Sequence, residues 1–170
     1  MTYAAYLLVD LFPVSLLLAA ASDLRTMTIP NRLCLFIALA FFPAALMANL
    51  SLNDWFGCLA MGVVGFVIGM IMFALRFMGG GDAKLIAAAS LWTGLGGYMG
   101  FIVYTALAGG ALTLGLLALR KVNAYYAPRL PAWAQRLMLP QGDIPYGVAI
   151  CAGGLLAIPH GPLSHLFGFS

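Results

Sequence analysis

Six apolar stretches, separated by short polar segments, leave this chain few ways to fold. Of its 170 residues 64% are hydrophobic and only 8% are charged, whereas soluble domains carry about 25% charged residues. A helix needs about 20 apolar residues to cross a bilayer. The sequence therefore predicts an all-α integral membrane protein, a single domain over 1–170 that forms a bundle of about six transmembrane helices. The six stretches cover about residues 4–22, 33–49, 57–77, 85–96, 98–119 and 144–159.

Two of these stretches need an interpretation of their own. The first has no basic residue before it, unlike a cleavable signal peptide, so we expect it to remain as a transmembrane helix. The fourth is short for a full span, and Gly94, Gly96 and Gly97 lie between it and the fifth. We expect the fourth stretch to be tilted, partly re-entrant or joined closely to the fifth.

The basic residues indicate how the bundle is oriented. With six spans they all fall on one side, and the positive-inside rule makes that side cytoplasmic. Both chain ends are then predicted to be periplasmic, and about 120–143 becomes a cytoplasmic loop. We interpret this loop as a basic surface segment that contacts membrane lipid, with substrate docking as the alternative. The basic residues are Arg25, Arg32, Arg76, Lys84, Arg120, Lys121, Arg129 and Arg136.

Two aspartates, Asp23 and Asp82, share this predicted cytoplasmic side. A carboxylate beside a membrane segment is costly and is usually kept for a function. Asp82 follows Gly79, Gly80 and Gly81, which lack Cβ atoms, allow unusual dihedrals and let an extended peptide come close. Each aspartate also has a structural interpretation: Asp82 as a helix cap, and Asp23 as an interfacial residue paired with a nearby arginine.

Considered together, the two carboxyls suggest a catalytic pair. When two such groups share a water molecule, one keeps its proton while the other acts as a base. The ionised carboxylate then takes a proton from water, and the protonated carboxyl polarises a peptide carbonyl, as in aspartic proteases. This chemistry needs no metal and no cofactor, and we expect none; nor do we expect nucleic acid as a partner.

The other acidic residues fit this pair less well. Asp10 lies about 20 Å along a helix from Asp23, and Asp54 is on the opposite side. Asp143 shares the cytoplasmic side; we interpret it as the cap of the sixth helix, with a third place at the site as the alternative. Lys84 either tunes Asp82 and orients the substrate or anchors its helix at the interface.

The three cysteines make no paired spacing. Cys34, Cys58 and Cys151 lie far apart within apolar runs. This pattern indicates neither a zinc cluster nor a disulfide framework. We expect each cysteine to behave as a small buried hydrophobic residue.

Three motifs of this chain resemble those of a known family. The segment Gly79–Leu85 resembles the Gly-x-Gly-Asp-x-Lys-Leu signature of type IV prepilin peptidases. Asp23-Leu24-Arg25 with Ile29-Pro30-Asn31 resembles their first-aspartate region, and Ile144-Pro145-Tyr146-Gly147 resembles a motif before their last helix. The likeness runs in order along nearly the whole chain. The short length resembles the compact Tad/Cpa branch, which serves Flp-type pili.

The resemblance implies an activity and a set of site residues. It implies a bacterial inner-membrane aspartic endopeptidase that removes the basic leader of prepilins and pseudopilins at the cytoplasmic face, with Asp23 and Asp82 as the catalytic pair. Support or substrate binding falls to Gly79, Gly80, Gly81, Lys84 and Asn31. The larger members also N-methylate the new terminus and carry an insert with paired Cys-x-x-Cys motifs, which is absent here. We therefore expect peptidase activity alone.

The sequence leaves two other hypotheses open. A presenilin-like intramembrane protease uses a similar Gly-x-Gly-Asp element, although it holds its aspartates deeper in the bilayer. A small ion-coupled transporter or pilus assembly subunit would use Asp10, Asp23 and Asp82 as ion sites.

Overall fold

The computed structural model describes residues 3–122, 131–139 and 142–169, and within them the regular elements are all helical. This confirms the predicted all-α fold. Two short 3₁₀ helices, Ile158–His160 and Ser164–Phe167, follow the last α-helix. The α-helices are α1 Tyr3–Thr26, α2 Asn31–Met47, α3 Leu52–Ala74, α4 Gly80–Val122, α5 Ala132–Leu137 and α6 Tyr146–Ala157.

The helices have the length and surface of a membrane protein. Three segments are long and apolar enough to cross a bilayer: Ala5–Thr26, Leu52–Ala74 and Gly80–Lys121. The helix α2 and the segment Tyr146–His160 are apolar but shorter. Large apolar side chains cover the outside of the bundle, Leu7 being 70% exposed and Leu107 66% exposed. This surface fits contact with lipid and agrees with the predicted membrane protein.

The long helix α4 is a hairpin that reverses at Gly94. Its backbone there has φ 55° and ψ −169°, a conformation that is essentially restricted to glycine. We call residues 80–93 the first arm and 95–122 the second arm. The first arm runs antiparallel to α3, because Ala83 lies against Gly69 near the end of α3 and Leu95 lies against Gly57 near its start.

The second arm returns toward the level at which the first arm began. It runs antiparallel to α6: Gly97 lies against Ala157 at the end of α6, and Gly109 lies against Tyr146 at its start. Tyr146 in turn lines the same cavity as Asp82, at the start of the first arm. The two arms thus correspond to the predicted fourth and fifth stretches, joined closely at Gly94.

Trp92, near the end of the first arm, ties three helices together. Its ring stacks on Phe12 of α1 with centroids 4.9 Å apart, and it meets the edge of Phe41 of α2 at 5.8 Å. Its Nε1 donates a hydrogen bond to the carbonyl oxygen of Ile37 at 2.9 Å. All three side chains of this aromatic cluster are buried, so they fix α1, α2 and the first arm relative to one another.

Small residues bring α3 close to the first arm. A Cβ atom on Gly69 would lie 2.9 Å from the Cα and the carbonyl oxygen of Ala83. Gly65 faces Ser90 and Gly62 faces Leu91 in the same way. Such contacts favour helix association in lipid, where the burial of apolar surface contributes little to the free energy of association.

The helix directions bring Asp23 and Asp82 to one end of the bundle, which we call the aspartate end. Both described chain ends lie at the opposite end, since α1 leads to Asp23 and α6 leads away from it. The described basic residues belong to segments at the aspartate end. Residues 123–130 and 140–141 of the predicted loop at 120–143, and with them Arg129, lie outside the described residues.

The reversal at Gly94 gives a stability prediction. In Gly94→Ala the new Cβ would lie 2.9 Å from Cδ of Pro162 and 3.0 Å from Sγ of Cys58, in a backbone conformation that alanine avoids. We expect the free energy of unfolding to fall by about 1–3 kcal/mol or more, measured by thermal unfolding in detergent micelles. Gly110→Ala is the matched control, because no atom lies within 4 Å of its Cβ position. Equal stability of the two variants would contradict the hairpin.

Candidate active site

Asp23 lies in the last turn of α1 and is 5% exposed. Its Oδ2 accepts a hydrogen bond of 2.7 Å from the backbone N–H of Gly147, 124 residues further along the chain. Gly147 belongs to the first turn of α6, where unpaired N–H groups and the helix dipole favour an acidic partner. Asp23 therefore holds the start of the last helix as well as the end of the first.

This contact corrects the predicted role of Asp143. We expected Asp143 to cap the sixth helix, but the N-cap position is Pro145 and no side chain of the capping segment accepts a bond there. The backbone of Gly142 and Asp143 instead accepts hydrogen bonds from Arg120, and the Asp143 side chain is exposed. The predicted cap was wrong because the acceptor at the start of α6 is Asp23, which belongs to α1.

Gly147 permits this arrangement because it has no side chain. A Cβ atom at this position would lie 2.9 Å from both Cβ and Oδ2 of Asp23, and 3.0 Å from Cδ1 of Ile29. These distances are shorter than ordinary van der Waals contacts. Any larger residue would push the Asp23 carboxylate away from the start of α6.

Asp82 is the third residue of α4 and is 9% exposed. Its Oδ2 accepts a hydrogen bond of 3.0 Å from the N–H of Gly79, which is half of a capping box. Its Oδ1 is buried, and it has no hydrogen-bond partner among the described residues. Since an unpartnered buried oxygen is costly, capping explains one oxygen of Asp82 and leaves the other available for water or substrate.

The two carboxyls line the same two adjacent cavities. The first, of about 240 Å³, is also lined by Ile29, Asn31 and the three glycines at 79–81. The second, of about 270 Å³, is also lined by Arg76, Asp143 and Tyr146. Because both side chains line these cavities, the charge of either carboxylate disfavours ionisation of the other. A pair in this position is favoured with one carboxyl protonated and the other ionised.

The three glycines before Asp82 were predicted to let another backbone come close and to allow unusual dihedrals. None of them is among the described residues with positive φ. Gly81 instead allows close packing against the turn between α1 and α2: its Cβ would lie 3.2 Å from Cβ and 3.3 Å from the carbonyl oxygen of Ile29. Gly79, Gly80 and Gly81 do line the first carboxyl cavity.

The two polar residues predicted to support the site contact each other. Nζ of Lys84 donates a hydrogen bond of 2.8 Å to Oδ1 of Asn31, across 53 residues of sequence. This contact joins the start of α2 to the first turns of α4. Asn31 also lines the first carboxyl cavity, whereas Lys84 points to the neighbouring face between α2 and α3.

Sequence reasoning missed two strained residues beside the pair. Met27 follows α1 with φ 53°, and Arg76 follows α3 with φ 60°, although left-handed backbone costs residues other than glycine about 1–2 kcal/mol. Both residues line the second carboxyl cavity. Neither residue type indicates a left-handed conformation, so neither could be predicted from the sequence.

The remaining candidates lie elsewhere. Asp10 is exposed on α1, and Asp54 accepts a hydrogen bond from Ser51 at the start of α3, at the opposite end. Cys34, Cys58 and Cys151 are buried and free, as predicted. Within the described ranges, no group of three or more His, Cys, Asp or Glu side chains is placed to hold a metal ion.

Fold and site together define a class: a polytopic helical membrane protein with two buried carboxyls that share cavities at one end of the bundle. The chain belongs to the type IV leader peptidase family, whose model matches residues 11–114 and so includes both aspartates. This confirms the family that the sequence motifs resemble.

A curated relative adds detail to this assignment. The chain is 32% identical over 159 residues to the prepilin leader peptidase/N-methyltransferase of Bacillus subtilis (strain 168). The alignment covers 89% of this chain and 57% of that protein, so the chain spans little more than half the length of this relative. No solved structure matches the chain significantly.

Proposed function

We propose that this protein is a membrane aspartic endopeptidase that removes the leader peptide of type IV prepilins and pseudopilins. The observation that carries the proposal is the buried Oδ1 of Asp82, which has no hydrogen-bond partner among the described residues and lies on cavities that Asp23 shares. Membership of the type IV leader peptidase family supports the same activity. The proposal includes the Flp-type substrates and the peptidase activity without N-methylation that the motif resemblance implies.

The proposed reaction uses one water molecule and the two carboxyls. The ionised carboxylate takes a proton from water, and the water oxygen attacks the scissile carbonyl carbon. The protonated carboxyl gives its proton to the carbonyl oxygen, which forms a neutral tetrahedral intermediate. Collapse of the intermediate breaks the C–N bond. The ionised carboxylate takes one proton from a hydroxyl of the intermediate, and the protonated carboxyl gives its proton to the leaving amine. The pair therefore ends with the single proton that it began with.

The location of the pair agrees with a substrate cut at the membrane edge. The described basic residues share the aspartate end, and the positive-inside rule makes that end cytoplasmic. A prepilin, with an apolar helix after a charged leader, would present its cleavage site at this depth. We therefore propose a multi-pass protein of the bacterial inner membrane, one domain over 1–170, with the site at the cytoplasmic face and both chain ends periplasmic.

Replacing each aspartate separates catalysis from capping. In Asp82→Asn the amide oxygen can still accept the Gly79 N–H, so we expect the fold to persist while kcat/KM for a prepilin falls by about 10²–10⁴-fold. We expect a loss of the same order for Asp23→Asn. Leader cleavage is measured by mass spectrometry in proteoliposomes, with Asp10→Asn as the control that keeps activity.

The outcomes distinguish the competing hypotheses. Full cleavage by both Asn variants would refute the catalytic pair. A cut inside the apolar helix, rather than before it, would indicate presenilin-like intramembrane proteolysis. Failure of the parent chain to cut any prepilin would favour transport or an assembly role.

Gly147 tests how strictly the Asp23 carboxylate must be positioned. In Gly147→Ala the new methyl group displaces this carboxylate, and a shift of about 1 Å can cost about 10²-fold in rate. We expect kcat to fall by about that factor while KM changes little. Gly109→Ala is the control, because its nearest neighbour, Cβ of Ala149, is at an ordinary 3.6 Å. Equal kcat values for the two variants would argue against the proposed role of Asp23.

Cysteine labelling tests the proposed orientation. Arg25 is exposed at the aspartate end and Asn53 is exposed at the opposite end. In a chain without its native cysteines, a membrane-impermeant maleimide added to spheroplasts should label Asn53→Cys and leave Arg25→Cys unlabelled until the cells are broken. The reverse labelling pattern would place the carboxyls on the periplasmic side.

A further inference from the structure

An open groove lies between α2 and α3. Both helices pack on α4, and they contact each other where Phe41 and Phe42 of α2 meet Trp55 near the start of α3, at the end opposite the aspartates. The gap has a volume of about 600 Å³. Leu35 of α2 and Val63 of α3 line its two walls and are 59% and 64% exposed, so the groove is open to the outside of the bundle.

The floor of the groove suits the close approach of a helix. It is formed by the first arm through Ala87, Ala88 and Leu91, and Gly62 adds a residue without a side chain. Small residues let helix backbones come near one another in lipid. Because the groove is open along one side, it can receive one face of an apolar helix that remains partly in contact with lipid.

The groove adjoins the cavity that contains the carboxyl pair. Its polar lining consists of Asn31 and Lys84, which are hydrogen-bonded to each other. Asn31 also lines the 240 Å³ cavity that contains Asp23 and Asp82. Asn31 is therefore the point at which the groove and the carboxyl cavity adjoin.

The opposite side of the pair has an acidic character. There the 270 Å³ cavity adds the exposed Asp143 to Asp23 and Asp82, while Arg76 is its basic residue. With one carboxyl of the pair protonated, the lining carries two carboxylates against one guanidinium, and this net negative charge favours a positively charged occupant. The order along the site is thus an apolar groove, the carboxyl pair and an acidic cavity.

We propose that the groove between α2 and α3 binds the apolar helix of the substrate, so that the basic leader extends past the carboxyl pair toward Asp143. The inference rests on the proposed peptidase function and adds the orientation of the bound chain. A substrate with a basic segment, a cleavage site and an apolar helix matches the three parts of the site in their order. The groove thus selects the helix, and the acidic cavity selects the leader.

Filling the groove should impair cleavage of only those substrates that carry the helix. Leu35→Trp places a large side chain in the groove, whereas Leu39→Trp, at a leucine of 57% exposure on the same helix, lies outside its lining. Each variant is tested with two probes. One is a precursor with a lysine-rich leader and an apolar helix of about 20 residues in liposomes; the other is a short peptide that ends just after the cleavage site.

We expect Leu35→Trp to raise KM for the full precursor about tenfold, with kcat nearly unchanged, because the groove contributes binding rather than chemistry. Cleavage of the short peptide should stay within about twofold of the parent, and Leu39→Trp should cleave both probes normally. Normal cleavage of the full precursor by Leu35→Trp would overturn the groove assignment. Loss of both probes in Leu35→Trp alone would also overturn it, since the effect would then be on the pair.

Photo-crosslinking gives a readout that does not depend on turnover. A benzoylphenylalanine at position 35 or 63, in the Asp82→Asn chain, should form an adduct with the apolar helix of the precursor, and one at position 39 should not. An adduct with lipid alone, or with a second copy of this chain, would overturn the proposed occupant. If the precursor is captured but the parent chain never cuts it, the peptidase proposal fails while the groove proposal stands.

Discussion

The site depends on the hydrogen bond between Gly147 and Asp23, which joins the first helix to the last. This bond of 2.7 Å is buried, where the low dielectric strengthens it. It sets the depth of α6 against α1, and α6 in turn packs along the second arm of α4. A contact between residues 124 positions apart thus closes the bundle at the end where the carboxyls lie.

The reversal at Gly94 brings the second carboxyl to the same depth. The first arm spans 80–93, about 21 Å at a rise of about 1.5 Å per residue. This is shorter than the hydrocarbon core of a bilayer, about 30 Å thick. Because Asp82 is at the start of this arm and Asp23 is in the last turn of α1, both carboxyls lie at the same end of the bundle.

Much of this arrangement could be predicted from the sequence, because a long run of apolar residues identifies a membrane helix whatever its partners are. The apolar stretches indicated the helical segments, and the costly carboxylates indicated Asp23 and Asp82 as a pair. A close join through Gly94, Gly96 and Gly97 was one of three possibilities for the fourth stretch. These inferences use only neighbouring residues and the average properties of lipid. They therefore hold without knowledge of which helices touch.

The features that escaped prediction all depend on tertiary contacts. Asp143 has a sequence position typical of a cap for α6, but Asp23 provides the acceptor from another helix. The left-handed conformations of Met27 and Arg76 follow from how two helices end beside the site. The groove between α2 and α3 is a gap, and no residue pattern indicates that two helices packed on a third leave space between them.

Structural and catalytic interpretations of the carboxyls are compatible once individual oxygens are considered. Asp23 and Asp82 each use Oδ2 to accept a backbone N–H at the start of a helix, α6 in one case and α4 in the other. These bonds fix where the side chains point and lower the cost of burying them. The second oxygen of Asp82 stays unpartnered among the described residues. Helix capping therefore positions the pair, and the oxygens that capping leaves free are the ones that can act on water.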